Sequence, residues 1–126
     1  MKGLVFDLET TGLISPHRTA APKDITTRVL EIGWILFDLE TYEIIKKKSY
    51  LLQYDDVKIE VGAQRVHGIT KEMLVNAFDL DKVLKYFNHH LKQADILISH
   101  NIEFDFPLLM SEYLKSGQKE HRISVR

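Results

Sequence analysis

Two acidic residues separated by a single position, Asp7 and Glu9, close an apolar run that begins at Lys2. On an extended strand, residues two apart project to the same side. Carboxylates held that close repel one another, and a proton or a divalent cation relieves the repulsion. Oxygen-only donors suit hard ions such as Mg²⁺ or Mn²⁺. The opposing reading is a strand end with two solvated acids, because acids are mostly exposed. A third acid, Asp105, falls in the first turn of a helical stretch that follows the short apolar run 96–99. Alone it reads as an acid favoured by the helix dipole, and so does Glu103. Neighbours one or two apart on a helix diverge, so only one of that pair is expected to face the strand bearing Asp7.

The elements that must position these acids can be read from the hydrophobic pattern. Residues 2–8 form a short apolar run that suits a buried central strand. Polar residues and Gly12 turn the chain after Glu9. Residues 14–27, with prolines at 16 and 22, read as a surface loop. Residues 28–39 form a second strand with Gly33 as a weak or bulged point, and 44–53 a third. A tight turn at 40–43 joins the two as a hairpin. Thr70 can cap a short helix. Residues 81–92 place Val83, Leu84, Phe87 and Leu91 at helical spacing. Residues 96–99 are a short strand, and 103–115 a helix with Leu108, Leu109, Tyr113 and Leu114 as its buried stripe. Pro107 is tolerable in that helix's first turns, and Gly117 suits its C-cap. The order β-β-β-α-α-β-α describes a layered α/β domain, a mixed central sheet flanked by helices.

Composition bounds the rest. The chain has 126 residues, 44% of them apolar, and a formal net charge of −1, which fits one globular domain over 1–126. No basic excess advertises nucleic acid, but a metal site can supply positive charge where a phosphate sits. With no cysteine, thiolate metal sites, disulfides and cysteine nucleophiles are excluded. The N-terminal apolar run is too short for a signal peptide or a membrane span, so a cytoplasmic protein is expected.

The motifs in combination resemble a known family. The segment Phe6-Asp7-Leu8-Glu9-Thr10-Thr11-Gly12-Leu13 resembles the first motif of the DEDDh-type 3′→5′ exonucleases. His100-Asn101-Ile102-Glu103-Phe104-Asp105 resembles their second. Val66-His67-Gly68-Ile69-Thr70 and Arg28-Val29-Leu30-Glu31-Ile32-Gly33-Trp34 are similar to two further elements, in the expected order. The likeness leans towards the polymerase epsilon-type proofreading members and spans essentially the whole chain. It implies a ribonuclease-H-like fold and removal of nucleotides from DNA or RNA 3′ ends. It also implies two Mg²⁺ or Mn²⁺ ions, with Asp7, Glu9 and Asp105 as both catalytic residues and metal ligands. Thr10, Thr11, Gly12, Leu13 and Asn101 would bind the terminal nucleotide, with Leu13 packing on its base. Single-stranded DNA or RNA ends and a DNA polymerase subunit are the implied partners.

The family's last motif, a His followed five residues later by a fourth metal-binding Asp, has no match. His121 is followed at that spacing by Arg126. The expectation is therefore a domain truncated at its C-terminal side, with no general base of its own. The competing expectation is an impaired module that binds single strands, docks on a polymerase, or self-associates through an exposed face. Other features read as structural. His67 orders the turn before Thr70, with Gly68 as a permissive backbone. Adjacent His89 and His90 diverge around a helix and do not form a metal pair. Lys46, Lys47 and Lys48 guard an edge strand. His17, Arg18, Lys23 and Arg28 are candidates for backbone contact. Trp34, Phe37, Phe87 and Phe104 fit a core.

Overall fold

The computed structural model describes residues 1–12 and 25–117. Strand β1 (Lys2–Thr10) alternates by face. Leu4, Phe6 and Leu8 are buried on one side, while Val5, Asp7 and Glu9 occupy the more open side. Strand β2 (Val29–Asp38) runs antiparallel to β1 and buries Ile32, Trp34 and Leu36 on the same side as Phe6. Strand β3 (Ile44–Leu51) returns antiparallel to β2 through the expected tight turn. There the Asp38 carboxylate accepts from the backbone of Glu40 at 2.8 Å and Thr41 at 3.0 Å, and Tyr42 takes a positive φ of 61°. Gly33, expected to be a weak or bulged point, is not bulged: it pairs with Asp7 and with Ser49 in regular register. The register shifts instead between Glu9 and Thr10, and between Leu36 and Phe37.

Among the described residues, three helices follow before the last strand and one after it. Helix α1 (Val61–His67) was not anticipated, since it buries none of its residues and so has no apolar stripe to read. Helix α2 (Lys71–Leu74) starts at Thr70 and buries Leu74. Helix α3 (Leu80–Leu91) is capped by Asp79, which accepts from the Lys82 backbone at 3.1 Å. Its buried residues are those expected, together with His90. Phe87 sits edge-on to Trp34 at 5.3 Å and to Phe6 at 6.0 Å, joining α3 to the centre of the sheet.

Strand β4 (Ile96–Ile98) then pairs parallel with β1 from Gly3 to Val5, completing the order β3-β2-β1-β4. β3 is an edge of this sheet and carries Lys46, Lys47 and Lys48, as a guarded edge requires. Helix α4 (Ile102–Ser116) continues through Pro107 and ends at Gly117, whose φ of 74° provides the left-handed cap. Its buried stripe is Asp105, Leu108, Leu109, Glu112 and Tyr113. Leu114, expected in that stripe, lies one residue further round the helix and is 53% exposed. Among the described residues no helix is long and apolar enough to cross a membrane.

Candidate active site

β4 ends beside Val5, two residues before Asp7, so the turn that follows brings the head of α4 to the carboxyl end of β1. Asp7 is exposed there, Glu9 is half-exposed, and Asp105 is 5% exposed. Of the two acids in the first turn of α4, Asp105 turns inward and Glu103 faces out, as the divergence of helical neighbours requires. The Ser99 hydroxyl donates a hydrogen bond to the Asp105 carboxylate. Burial pushes the Asp105 carboxyl above its ordinary value in spite of that bond, and the charge of Asp7 adds to the shift. Glu9 is also pushed up by burial. His67 opposes the shift, and Asp7, Glu31 and Asp105 reinforce it.

These three acids feel one another, and that mutual repulsion is what a divalent cation relieves. In kind, the donor set fits a hard ion: three carboxylates with no sulfur among them. In arrangement it is not a closed cage, because among the described residues no three acid or histidine side chains gather closely enough to hold one ion.

From the end of β1 to Gly12 the chain forms the floor of a pocket of about 370 Å³. Leu8, Glu9, Thr10 and Gly12 line it from β1. Glu60, Gly62, Ala63, Val66 and His67 line it from α1 and the residue before it, and Phe104 from α4. Three small residues and three apolar side chains make a slot suited to a flat ring. His67 fixes one wall: its Nε2 donates to the Thr10 carbonyl at 2.9 Å, and its Nδ1 accepts from the Ile69 backbone at 3.0 Å. Gly68 beside it takes a φ of 71°, so the ordering role expected of His67 stands.

Other expected binding residues behave differently. The Thr10 hydroxyl donates to the Gly12 carbonyl at 2.8 Å and so shapes the floor. Thr11 is buried away from the pocket. Its backbone donates to the Arg28 carbonyl at 2.9 Å, and its hydroxyl accepts from the Arg28 backbone at 3.0 Å. Asn101 sits exposed at the head of α4 and is not among the pocket's walls. Leu13, His17, Arg18, Lys23 and His121 lie outside the described residues. Phe104, expected in the core, packs against it and also lines the pocket.

The pocket floor is tied to α4 by an ion pair, buried on the Glu112 side and partly exposed on the Arg28 side, that the sequence did not suggest. The Arg28 guanidinium donates to Glu112 with contacts of 2.9–3.2 Å, and the Val29 backbone donates to the same carboxylate at 2.8 Å. Arg28 also lies 4.9 Å over the Tyr54 ring, whose hydroxyl donates to the Val29 carbonyl at 2.7 Å. Glu112 lies two turns along α4 from Asp105 on the same face, so one helix carries both the anchor and the site acid.

The sheet order and flanking helices define a protein of the ribonuclease-H-like exonuclease fold. E. coli Exonuclease I in complex with a dA16 oligonucleotide superposes with a TM-score of 0.75 at 18% identity, covering 98% of this chain and 27% of that one. Exonuclease X in complex with 5′ overhanging duplex DNA gives 0.64 at 20% identity, covering 98% and 57%. The exonuclease family of the RNase T type matches residues 4–125, and the chain belongs to it. The DNA polymerase III epsilon subunit of Buchnera aphidicola subsp. Schizaphis graminum is 29% identical over 96% of this chain and 49% of its own length. A PolC-type DNA polymerase III of Listeria innocua is 29% identical over 96% of this chain and 8% of its own. The chain thus spans about half the length of the epsilon relative.

Proposed function

We propose that this chain is the core of a metal-dependent 3′→5′ exonuclease that removes nucleotides from single-stranded DNA or RNA ends, within a protein that works beside a DNA polymerase. One observation carries the reading: a ring-sized pocket opens directly from Glu9, beside Asp7 and Asp105. The family membership and the polymerase relatives support it.

The roles follow from position. Leu8, Val66 and Phe104 offer apolar surface to the terminal base, and stacking of that kind contributes roughly 1–3 kcal/mol per base. Gly12, Gly62 and Ala63 let the sugar and backbone approach. Asp7, Glu9 and Asp105 would hold Mg²⁺ or Mn²⁺ at the phosphate. Such ions, when bound, favour a hydroxide nucleophile and offset charge on the leaving oxygen. His67 has both ring nitrogens engaged and acts by holding the wall.

A second reading is a module that binds single strands without cutting them. It is favoured by the lack, among the described residues, of a closed three-ligand cluster. A titration of Mn²⁺ followed by electron paramagnetic resonance tests the metal assignment under both readings. Binding that is lost in Asp7→Ala, with an unchanged melting temperature, supports it. Equal Mn²⁺ affinity in the variant and the parent removes Asp7 from the metal site.

A further inference from the structure

Ser99 touches a site acid and has no part in the reading above. It directly follows β4, which is held against β1 as far as Ile98 opposite Val5. Asp105 lies in the first turn of α4, where its backbone N–H donates to the Asn101 carbonyl at 2.8 Å. The Ser99 hydroxyl donates to Asp105 Oδ2 across the turn that joins these two elements. Both ends of that hydrogen bond therefore stand on backbone fixed by secondary structure.

An aspartate carboxylate turns easily about its last bond, because that torsion has broad, two-fold minima. A donor fixed on one oxygen removes this freedom. Among the described residues, Ser99 is the only hydrogen-bond donor to the Asp105 carboxylate, so Oδ2 is taken and Oδ1 is the oxygen left for an ion. At 5% exposure of Asp105, little water is at hand to replace the hydroxyl. The consequence differs between ions. A carboxylate limited to one oxygen suits a small octahedral ion such as Mg²⁺ or Mn²⁺. Ca²⁺ takes more oxygens in looser geometry and readily uses both oxygens of one carboxylate.

Resting on the reading of Asp105 as a metal ligand, we infer that Ser99 is a positioning residue. It holds Asp105 as a one-oxygen ligand and thereby favours Mg²⁺ and Mn²⁺ over Ca²⁺ at the site. A serine that only joined β4 to α4 would support the fold without affecting that choice of ion.

Mn²⁺ titrations of the chain followed by electron paramagnetic resonance, with Ca²⁺ as a silent competitor, read both affinities. Ser99→Ala is expected to weaken Mn²⁺ binding by about tenfold or more, the loss usual when a group that orients a metal ligand is removed. Ca²⁺ binding falls less, because a freed carboxylate can turn both oxygens towards it, so the preference for Mn²⁺ narrows. Ser99→Thr keeps the hydroxyl and with it the parent's preference. Unchanged Mn²⁺ affinity in Ser99→Ala overturns the inference while leaving the metal reading intact. So does an equal loss for both ions, or a Ser99→Thr variant that behaves like Ser99→Ala. Mn²⁺ binding that is absent in the parent, or that Asp105→Ala leaves unchanged, overturns the reading of Asp105 as a ligand, and the inference with it.

Discussion

Asp105 is buried to 5% exposure next to the charge of Asp7, and the Ser99 hydroxyl is its donor partner. Its carboxyl is pushed up, so the fold favours the protonated form and loses stability when the group ionises at neutral pH. Such strain is typical of positions kept for chemistry. Asp105→Asn keeps an acceptor for Ser99 and removes the charge. It should raise stability at pH 7 by roughly 1 kcal/mol while weakening Mn²⁺ binding. Thermal melts of the two proteins check this, and an equal or lower melting temperature contradicts it. At this scale the sequence was informative about acids and less so about walls. Asp7 and Glu9 carry a physical argument as paired acids at a strand end, whereas Asp105 alone reads as a helix-dipole acid and stands out through the motif it shares with the exonucleases. Thr11 did not turn towards the pocket, since a buried threonine hydroxyl found a backbone donor at Arg28 instead. Glu112 was legible in principle. It sits on the same helical stripe as Leu108, Leu109 and Tyr113, and an acid on an apolar stripe signals a buried partner.

Among the elements, α3 is fastened to the sheet by a bond as well as by packing. The Trp34 indole donates to His90 Nδ1 at 3.0 Å, and His90 is 3% exposed. Burial pushes His90 below its ordinary value, and His89, Lys46 and Lys48 push it the same way, with Tyr86 packed against its ring. A histidine that must accept from Trp34 has to keep Nδ1 unprotonated. The unfolded chain binds the proton more readily than the folded one. Its contribution is therefore fully present above about pH 6.5 and is lost as the pH falls below that. Melting temperature should drop between pH 7.5 and 5.5, and the drop should shrink in His90→Gln, which retains an acceptor. An identical pH dependence in that variant would remove His90 as the cause. The elements least legible beforehand were those that bury little. α1 has no buried residue, so nothing in its periodicity marks it, yet it forms one wall of the pocket. The strands and α3 were legible because alternation and helical spacing report burial directly.

For the whole molecule, the sheet, the inward acid of α4 and the pocket beside Glu9 converge at one end of β1. At that end, we propose, a nucleic-acid strand is shortened from its 3′ terminus with the help of Mg²⁺ or Mn²⁺. The most direct test is a gel assay of the 126-residue chain on a 5′-labelled single strand, with each ion and with EDTA. The expected result is a ladder that shortens from the 3′ end, absent with EDTA and absent in Asp7→Ala. An intact strand in the presence of either ion, or a ladder that persists in Asp7→Ala, would contradict it.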